Sequence, residues 1–222
     1  MDSRKIIEDT NQNGWSYHKL TFPDGTVLNG IWDMSKYLEH FQIPENLSGK
    51  SILEIGPGSG YFSFEFSKRG ASKIVAIDIK PNKLQQAANK LMGANVEFLT
   101  KDLFTIDESF GKFDLVFCSN VIIHVSDMFQ AIQKIKQVAK DQVILCNSVL
   151  KNPKFTDEPI AYFLGKPGVD GSILSYWQPT MLCIEKMLEK ANFSTIKEIS
   201  RFMEISEDKK ISNFTGVFHA FV

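Results

Sequence analysis

Ser51-Ile52-Leu53-Glu54-Ile55-Gly56-Pro57-Gly58-Ser59-Gly60-Tyr61-Phe62-Ser63 is the stretch around which the chain can be read. An apolar run carries one carboxylate, Glu54, and gives way to glycines at every second position, Gly56, Gly58 and Gly60, before an aromatic-rich helical pattern begins. That order reads as strand, tight turn, helix. Glycine lets the turn adopt positive φ and lets a ligand approach the backbone closely, and the N-terminus of the following helix offers free N–H groups. An ordinary tight turn is the alternative reading of the glycines taken alone.

Outward from this stretch the hydrophobic period alternates. Strand-like runs at Ser51–Ile55, Lys73–Asp78, Val96–Thr100, Phe113–Ser119 and Gln142–Val149 are separated by helical patterns at Gly60–Arg69, Pro81–Leu91 and Asp127–Ala139. Such alternation implies right-handed crossovers and a parallel sheet. A last helical pattern, Met181–Ala191, precedes strand-like runs at Ser194–Arg201 and Phe214–Val222 with only the polar stretch Glu204–Asn213 between them, so this pair is expected to be an antiparallel hairpin. Leu150–Pro179, with Pro153, Pro159 and Pro167, shows no period and is long for a connection, which marks a functional loop or a disordered one. On the N-terminal side, Trp15, Tyr17, Leu20 and Phe22 lead through the turn Pro23-Asp24-Gly25 into Thr26-Val27-Leu28, as two short strands would. Asp33 is placed to cap a short helix carrying Met34, Tyr37, Leu38 and Phe41 that ends before Pro44. This segment is a candidate lid.

Composition narrows the class. The chain has 222 residues, 43% of them apolar, enough for a full core. Its 25 Lys and Arg against 26 Asp and Glu leave a net charge of −1, without the basic excess that sequence-independent nucleic-acid binding needs. Cys118, Cys146 and Cys183 are far apart in apolar runs, as reduced buried thiols of a cytoplasmic protein would be. No stretch is long enough to span a membrane, and the charged start of the chain carries no apolar signal core, so a soluble cytoplasmic protein is expected. No metal site is expected.

Two cofactor classes use a glycine turn of this kind. Dinucleotides need G-x-G-x-x-G facing a pyrophosphate, whereas the spacing here is G-x-G-x-G and Glu54 would repel pyrophosphate but attract a cation. S-adenosylmethionine, with a sulfonium, an ammonium and no phosphate, fits. Asp78 closes the second strand, placed to accept from both ribose hydroxyls, with Ile79 beside it.

At this point the chain resembles the class I S-adenosylmethionine-dependent methyltransferases over residues 50–222. Glu54 to Gly60 is similar to their first motif, and Asp78 to their acidic ribose position. Lys101-Asp102-Leu103 is similar to the place where an Asp side chain and the next N–H read the adenine. Phe113-Asp114-Leu115-Val116, leading to Ser119-Asn120-Val121-Ile122-Ile123-His124-Val125, is similar to the fourth motif, which faces the methionine part. Taken alone, Asp102 reads equally well as a helix cap, and His124 reads as a packing residue more readily than as a base. The resemblance implies an α/β, Rossmann-like fold: a mostly parallel seven-stranded sheet with helices on both faces and a C-terminal antiparallel hairpin. Residues 1–48 would form a cap and 49–222 the methyltransferase domain, with 150–178 as a substrate-side loop. S-adenosylmethionine would be the cofactor and S-adenosylhomocysteine its product.

A finer resemblance reaches the N-terminal part. Trp15-Ser16-Tyr17-His18-Lys19, Trp32-Asp33, Ile43-Pro44-Glu45-Asn46-Leu47, the His124 region and Trp177-Gln178-Pro179-Thr180 are similar to a subgroup that includes the enzymes modifying the tRNA wobble uridine with a carboxylated cofactor. Those enzymes use a late Arg for the extra carboxylate, and Arg201 is the late Arg here. Asn120-Val121-Ile122-Ile123 departs from the Asn/Asp-Pro-Pro-aromatic pattern of nucleic-acid amino-methylases. The preferred acceptor is therefore a small metabolite or natural product, with tRNA modification and a non-catalytic cofactor-binding partner as alternatives. Trp15, Tyr17, Tyr37, Tyr162, Tyr176 and Trp177 are expected to wall the acceptor pocket, and His18, then His124, to serve as general base.

Overall fold

The computed structural model describes residues 3–80, 82–152, 154, 155, 157–167 and 174–222. Pro81 and Pro153 lie outside the described residues.

Seven strands form one sheet: β5 (Ser51–Ile55), β6 (Lys73–Asp78), β7 (Val96–Thr100), β8 (Phe113–Ser119), β9 (Ala139–Ser148), β12 (Thr195–Ile205) and β13 (Ser212–Phe221). Their order is β12-β13-β9-β8-β5-β6-β7. β7, β6, β5, β8 and β9 run parallel, while β13 is antiparallel to both β9 and β12. The expected C-terminal hairpin is thus present. β12 runs past Arg201 to Ile205, with Phe202 and Glu204 buried, and so enters the stretch Glu204–Asn213 that reads as a polar connection.

Successive residues of β5 serve opposite layers, as the two-residue period requires. Leu53 and Ile55 belong to the core under α4 (Met128–Val138) and α5 (Met181–Lys190), together with Ile132, Ile135, Ile184 and Leu188. Ile52 belongs to the opposite core with Phe62, Phe66, Phe117 and Cys146, covered by α2 (Tyr61–Lys68) and the N-terminal segment. Glu54 shares the face of Ile52 and therefore points at α2. The remaining helix of the sheet, α3 (Lys83–Met92), starts at Asn82, whose side chain accepts from Leu84 N at 2.9 Å.

The N-terminal segment contains α1 (Ser3–Asn13), which the sequence pattern does not announce, and four short strands, β1 (Ser16–His18), β2 (Leu20–Thr21), β3 (Val27–Leu28) and β4 (Gly30–Trp32). β2 and β3 make the expected hairpin, while β1 and β4 pair parallel. In place of a short helix capped by Asp33, two consecutive 3₁₀ turns span Met34–Lys36 and Leu38–Phe41. Asp33 makes no cap bond because its carboxylate is engaged elsewhere: Ser35 Oγ donates to it at 2.5 Å and Lys19 Nζ at 3.0 Å.

The stretch read as an aperiodic loop carries structure of its own. β10 (Ala161–Pro167) and β11 (Leu174–Pro179) form an antiparallel pair separate from the main sheet. A bulge between Phe163 and Lys166 breaks the alternation, which is why no period shows in the sequence. Trp177 Nε1 donates to Ser126 O at 3.2 Å and ties the pair to the connection after β8.

Candidate cofactor and acceptor site

The glycine turn sits at the carboxyl edge of the sheet, where α/β folds bind ligands. Gly58 has φ +55°, and a Cβ there would stand 2.9 Å from Tyr17 Cδ1 and 3.1 Å from His18 Cε1, so cap and turn meet only because residue 58 has no side chain. A Cβ on Gly56 would overlap Val121 Cγ2 at 2.3 Å. From the other side α3 holds the turn: Gln85 Nε2 donates to Gly58 O at 2.7 Å and Asn82 Nδ2 at 3.4 Å. Neither contact carried a signal in the sequence beyond a polar residue on a helix face.

Asp78, at the end of β6, is partly buried, and burial raises its carboxyl above the usual range. Ile79, next to it, leaves 57% of its surface exposed, an apolar shelf beside the carboxylate. Asp102 accepts from Phe104 N at 2.9 Å and so caps the turn beginning at Leu103, which is the plainer of its two readings. A polar acceptor, an exposed apolar shelf and a turn with close backbone approach fit an adenosine cofactor. Asp78, Ile79, Asp102 and Leu103 would hold its nucleoside, and Gly56, Gly58, Ser119 and Asn120 its amino-acid part.

Glu54 needs a correction of role. It is 1% exposed, the Ser63 hydroxyl donates to its Oε2, and burial pushes its carboxyl up to about 8. Burial thus disfavours its charged form in the chain alone, which weakens the reading of Glu54 as the group that selects a cation by charge. It joins β5 to α2 beneath the glycine turn instead of lining the cavity above it.

That cavity is lined by Gly56, Ser119 and Asn120 from the strand ends, Phe62 from α2, Tyr17, His18, Trp32 and Met34 from the N-terminal segment, and Glu204 from β12. Asn120 has φ +55°, a conformation asparagine tolerates, and its Oδ1 accepts from Ser148 N at 2.6 Å, clamping β8 to β9. His18 is 5% exposed, its backbone N–H donates to Ser59 Oγ at 3.1 Å, and burial lowers its imidazole to about 3. Such a ring is a weak proton acceptor at neutral pH. His124 does not line this cavity; its Nδ1 lies 3.5 Å from Ser175 Oγ on β11.

Of the expected aromatic walls only Tyr17 lines the cavity. Trp15 is 51% exposed and borders a cleft between α1 and Lys83. Tyr37 stacks on Phe202 at 5.6 Å, and its hydroxyl accepts from Ile205 N at 2.9 Å, so it fastens the cap to β12. Tyr162, Tyr176 and Trp177 belong to the β10–β11 pair, where Phe163 packs on Trp177 at 5.2 Å and near Tyr176 at 6.2 Å. Trp32, Met34, Phe62 and Glu204 are the lining residues that sequence reasoning missed. The signal for Glu204 was hidden because it opens a stretch that reads as a polar connection.

A seven-stranded sheet in this order, with the glycine turn and Asp78 on adjacent strand ends, defines the S-adenosylmethionine-dependent methyltransferase fold. Residues 46–210 match the family model described as "Methyltransferase domain", and the chain belongs to that family. The tRNA U34 carboxymethyltransferase of Campylobacter concisus is 23% identical over 178 residues, 77% of this chain and 59% of that protein. Phosphoethanolamine N-methyltransferase 1 of Zea mays is 25% identical over 219 residues, 89% of this chain and 41% of that protein. The chain thus spans about half the length of these relatives or somewhat more or less. Among solved structures, the N-terminal domain of EvdMO1 with S-adenosylhomocysteine bound superposes with a TM-score of 0.72 at 16% identity, covering 100% of this chain and 98% of that one.

Proposed function

We propose that this chain transfers a methyl group from S-adenosylmethionine to a small-molecule acceptor. The observation that carries the reading is one cavity shared by the donor-side residues Gly56, Ser119 and Asn120 and by the acceptor-side residues Tyr17, His18, Trp32 and Glu204. When bound, the cofactor supplies a methyl carbon made electrophilic by the sulfonium, open to in-line displacement. What the chain adds is chiefly positioning, which can supply about 7–11 kcal/mol for well-oriented groups. The N-terminal segment is anchored for that task. Lys19 pairs with Asp33 at 3.0 Å and Glu207 at 3.4 Å, Lys36 pairs with Glu207, and Ser200 Oγ donates to His40 O at 2.7 Å.

A carboxylated cofactor would ask for a cation in the cavity. Among the described residues its lining includes no Lys or Arg, and Arg201 donates to Glu198 at 2.6 and 2.7 Å, which weighs against the tRNA wobble-uridine reading. Calorimetry with S-adenosylmethionine and S-adenosylhomocysteine tests the proposal. Binding of both is expected, and no heat with either sinks it. The carboxylated cofactor co-purifying in place of S-adenosylmethionine would favour the tRNA reading.

A further inference from the structure

We propose that Glu204 binds the acceptor as the catalytic carboxylate and that the acceptor is a hydroxyl compound, its oxygen taking a hydrogen bond from Trp32 Nε1–H while its O–H donates to Glu204 Oε1. This rests on the methyltransferase reading above.

Three buried polar atoms around the cavity have no partner among the described residues: His18 Nδ1, Trp32 Nε1 and Glu204 Oε1. Glu204 and Trp32 are each 2% exposed. Leaving such groups unmet costs roughly 1–3 kcal/mol apiece, so a guest that reaches Trp32 and Glu204 recovers that cost for those two. Their chemistry restricts that ligand. An indole N–H only donates, whereas a carboxylate only accepts. One hydroxyl satisfies both, with its lone pair and its proton. An ammonium could satisfy Glu204 but would leave the indole unmet, and an ether could satisfy the indole but not Glu204; a neutral amine shares the hydroxyl's two capacities, and a hydroxyl is preferred because O–H is the stronger donor to a carboxylate.

Glu204 is also the better proton acceptor of the two candidates. Its carboxyl is pushed up to about 7 by burial, near the range where a general base works best, while His18 is held at about 3. Thr215 on β13 lies near enough to lower the carboxyl's proton affinity, but it makes no hydrogen bond of ordinary geometry with it. The thiol of Cys146 on β9 also feels this charge, and burial keeps that thiol neutral. As the acceptor O–H proton passes to Glu204, the oxygen uses a lone pair to form the new O–C bond, the C–S bond of the methyl donor breaks, and its pair stays on sulfur to give the neutral thioether.

The test uses the full chain saturated with S-adenosylhomocysteine, probed with cyclohexanol and phenol, their methyl ethers, and aniline, an amine that is neutral at pH 7. The readout is the indole N–H resonance of Trp32, assigned with Trp32→Phe. The alcohols are expected to shift it saturably and to bind about tenfold or more tighter than the ethers and the amine. Glu204→Leu should abolish that preference and Glu204→Gln, whose amide carbonyl still accepts, should retain it. With an acceptor that is turned over, Glu204→Gln should lower kcat by about 10²–10⁴ with KM little changed. Equal binding of alcohols and ethers by the wild type, preference for the amine, or an unmoved Trp32 resonance overturns the proposal, whether or not Glu204→Leu folds. Failure of S-adenosylhomocysteine to bind the wild type would instead remove the methyltransferase reading.

Discussion

The backbone N–H of His18 donates to Ser59 Oγ at 3.1 Å, joining the N-terminal cap directly to the glycine turn. Because the contact is backbone to turn, it depends less on the imidazole than on the room beside Gly58. Gly58→Ala would bring a Cβ within 2.9 Å of Tyr17 and 3.1 Å of His18 at a φ that side chains avoid. We expect this variant to fold, to bind S-adenosylhomocysteine at least about tenfold more weakly, and to be cleaved faster within residues 1–48. Calorimetry and limited proteolysis measure both, and unchanged values would detach the cap from cofactor binding.

Asp78 tests the nucleoside side of the site. Its carboxylate ends β6, with Lys80 N at 3.3 Å from Oδ1. A hydrogen bond to a charged group contributes about 1.5–3 kcal/mol, so Asp78→Asn should weaken S-adenosylmethionine binding by roughly 10- to 150-fold. Thermal stability without ligand should not fall at neutral pH, since burial already disfavours the Asp78 carboxylate and the amide avoids that cost. Equal affinity in the two proteins would take Asp78 out of the cofactor site.

How far the sequence carried the fold shows in these same residues. The strands Ser51–Ile55, Lys73–Asp78, Val96–Thr100 and Phe113–Ser119 are legible to the residue, because turn chemistry bounds each of them and the two-sided burial of a parallel strand marks all but the edge strand Val96–Thr100. The cap is less legible, since its strands of two or three residues are shorter than any period. Glu54 was found as a site residue for a reason the structure withdraws: the motif places it correctly, but its charge depends on burial, which no pattern of residue types records. Glu204 was missed for the converse reason. It opens the stretch Glu204–Asn213 that reads as a polar connection, and only the pairing of β12 with β13 and the cap lying across it make its position a buried one.

Glu54 yields a stability test. A lysine at this position would bury an ammonium on the α2 side of the sheet and is expected to prevent folding, so the informative change is Glu54→Gln. The carboxyl titrates near 8 in the folded chain against 4.5 for its ordinary value. Between those values the folded state holds a proton that the unfolded state has released, so wild-type stability falls as pH rises from 4.5 to 8. The glutamine variant lacks this loss and should gain on the wild type across the window, by up to about 4 kcal/mol at pH 8. Urea denaturation at pH 5 and pH 8 measures it, and parallel curves for the two proteins would mean that Glu54 is ionised in the folded state.

His18 acts with the opposite sign. Burial lowers its imidazole to about 3 from 6.5, so below pH 6.5 the unfolded chain binds a proton that the folded chain refuses. Its contribution to stability is whole above pH 6.5 and is lost as pH falls toward 3, by about 1.4 kcal/mol per pH unit. Between pH 4.5 and 6.5 that slope opposes the slopes from the buried carboxyls of Glu54 and Glu204, both of which lose stability as pH rises. His18→Phe removes the acid-side loss while keeping a ring against Tyr17, Tyr61 and Phe62, which surround His18 at centroid distances of 4.8, 6.1 and 6.0 Å. Its stability should therefore be less sensitive to pH below 6.5, even if lower in absolute value from poorer fit beside Gly58. Denaturation midpoints of the two proteins at pH 4, 5 and 6 decide this, and identical acid limbs would show that His18 protonates freely in the folded protein.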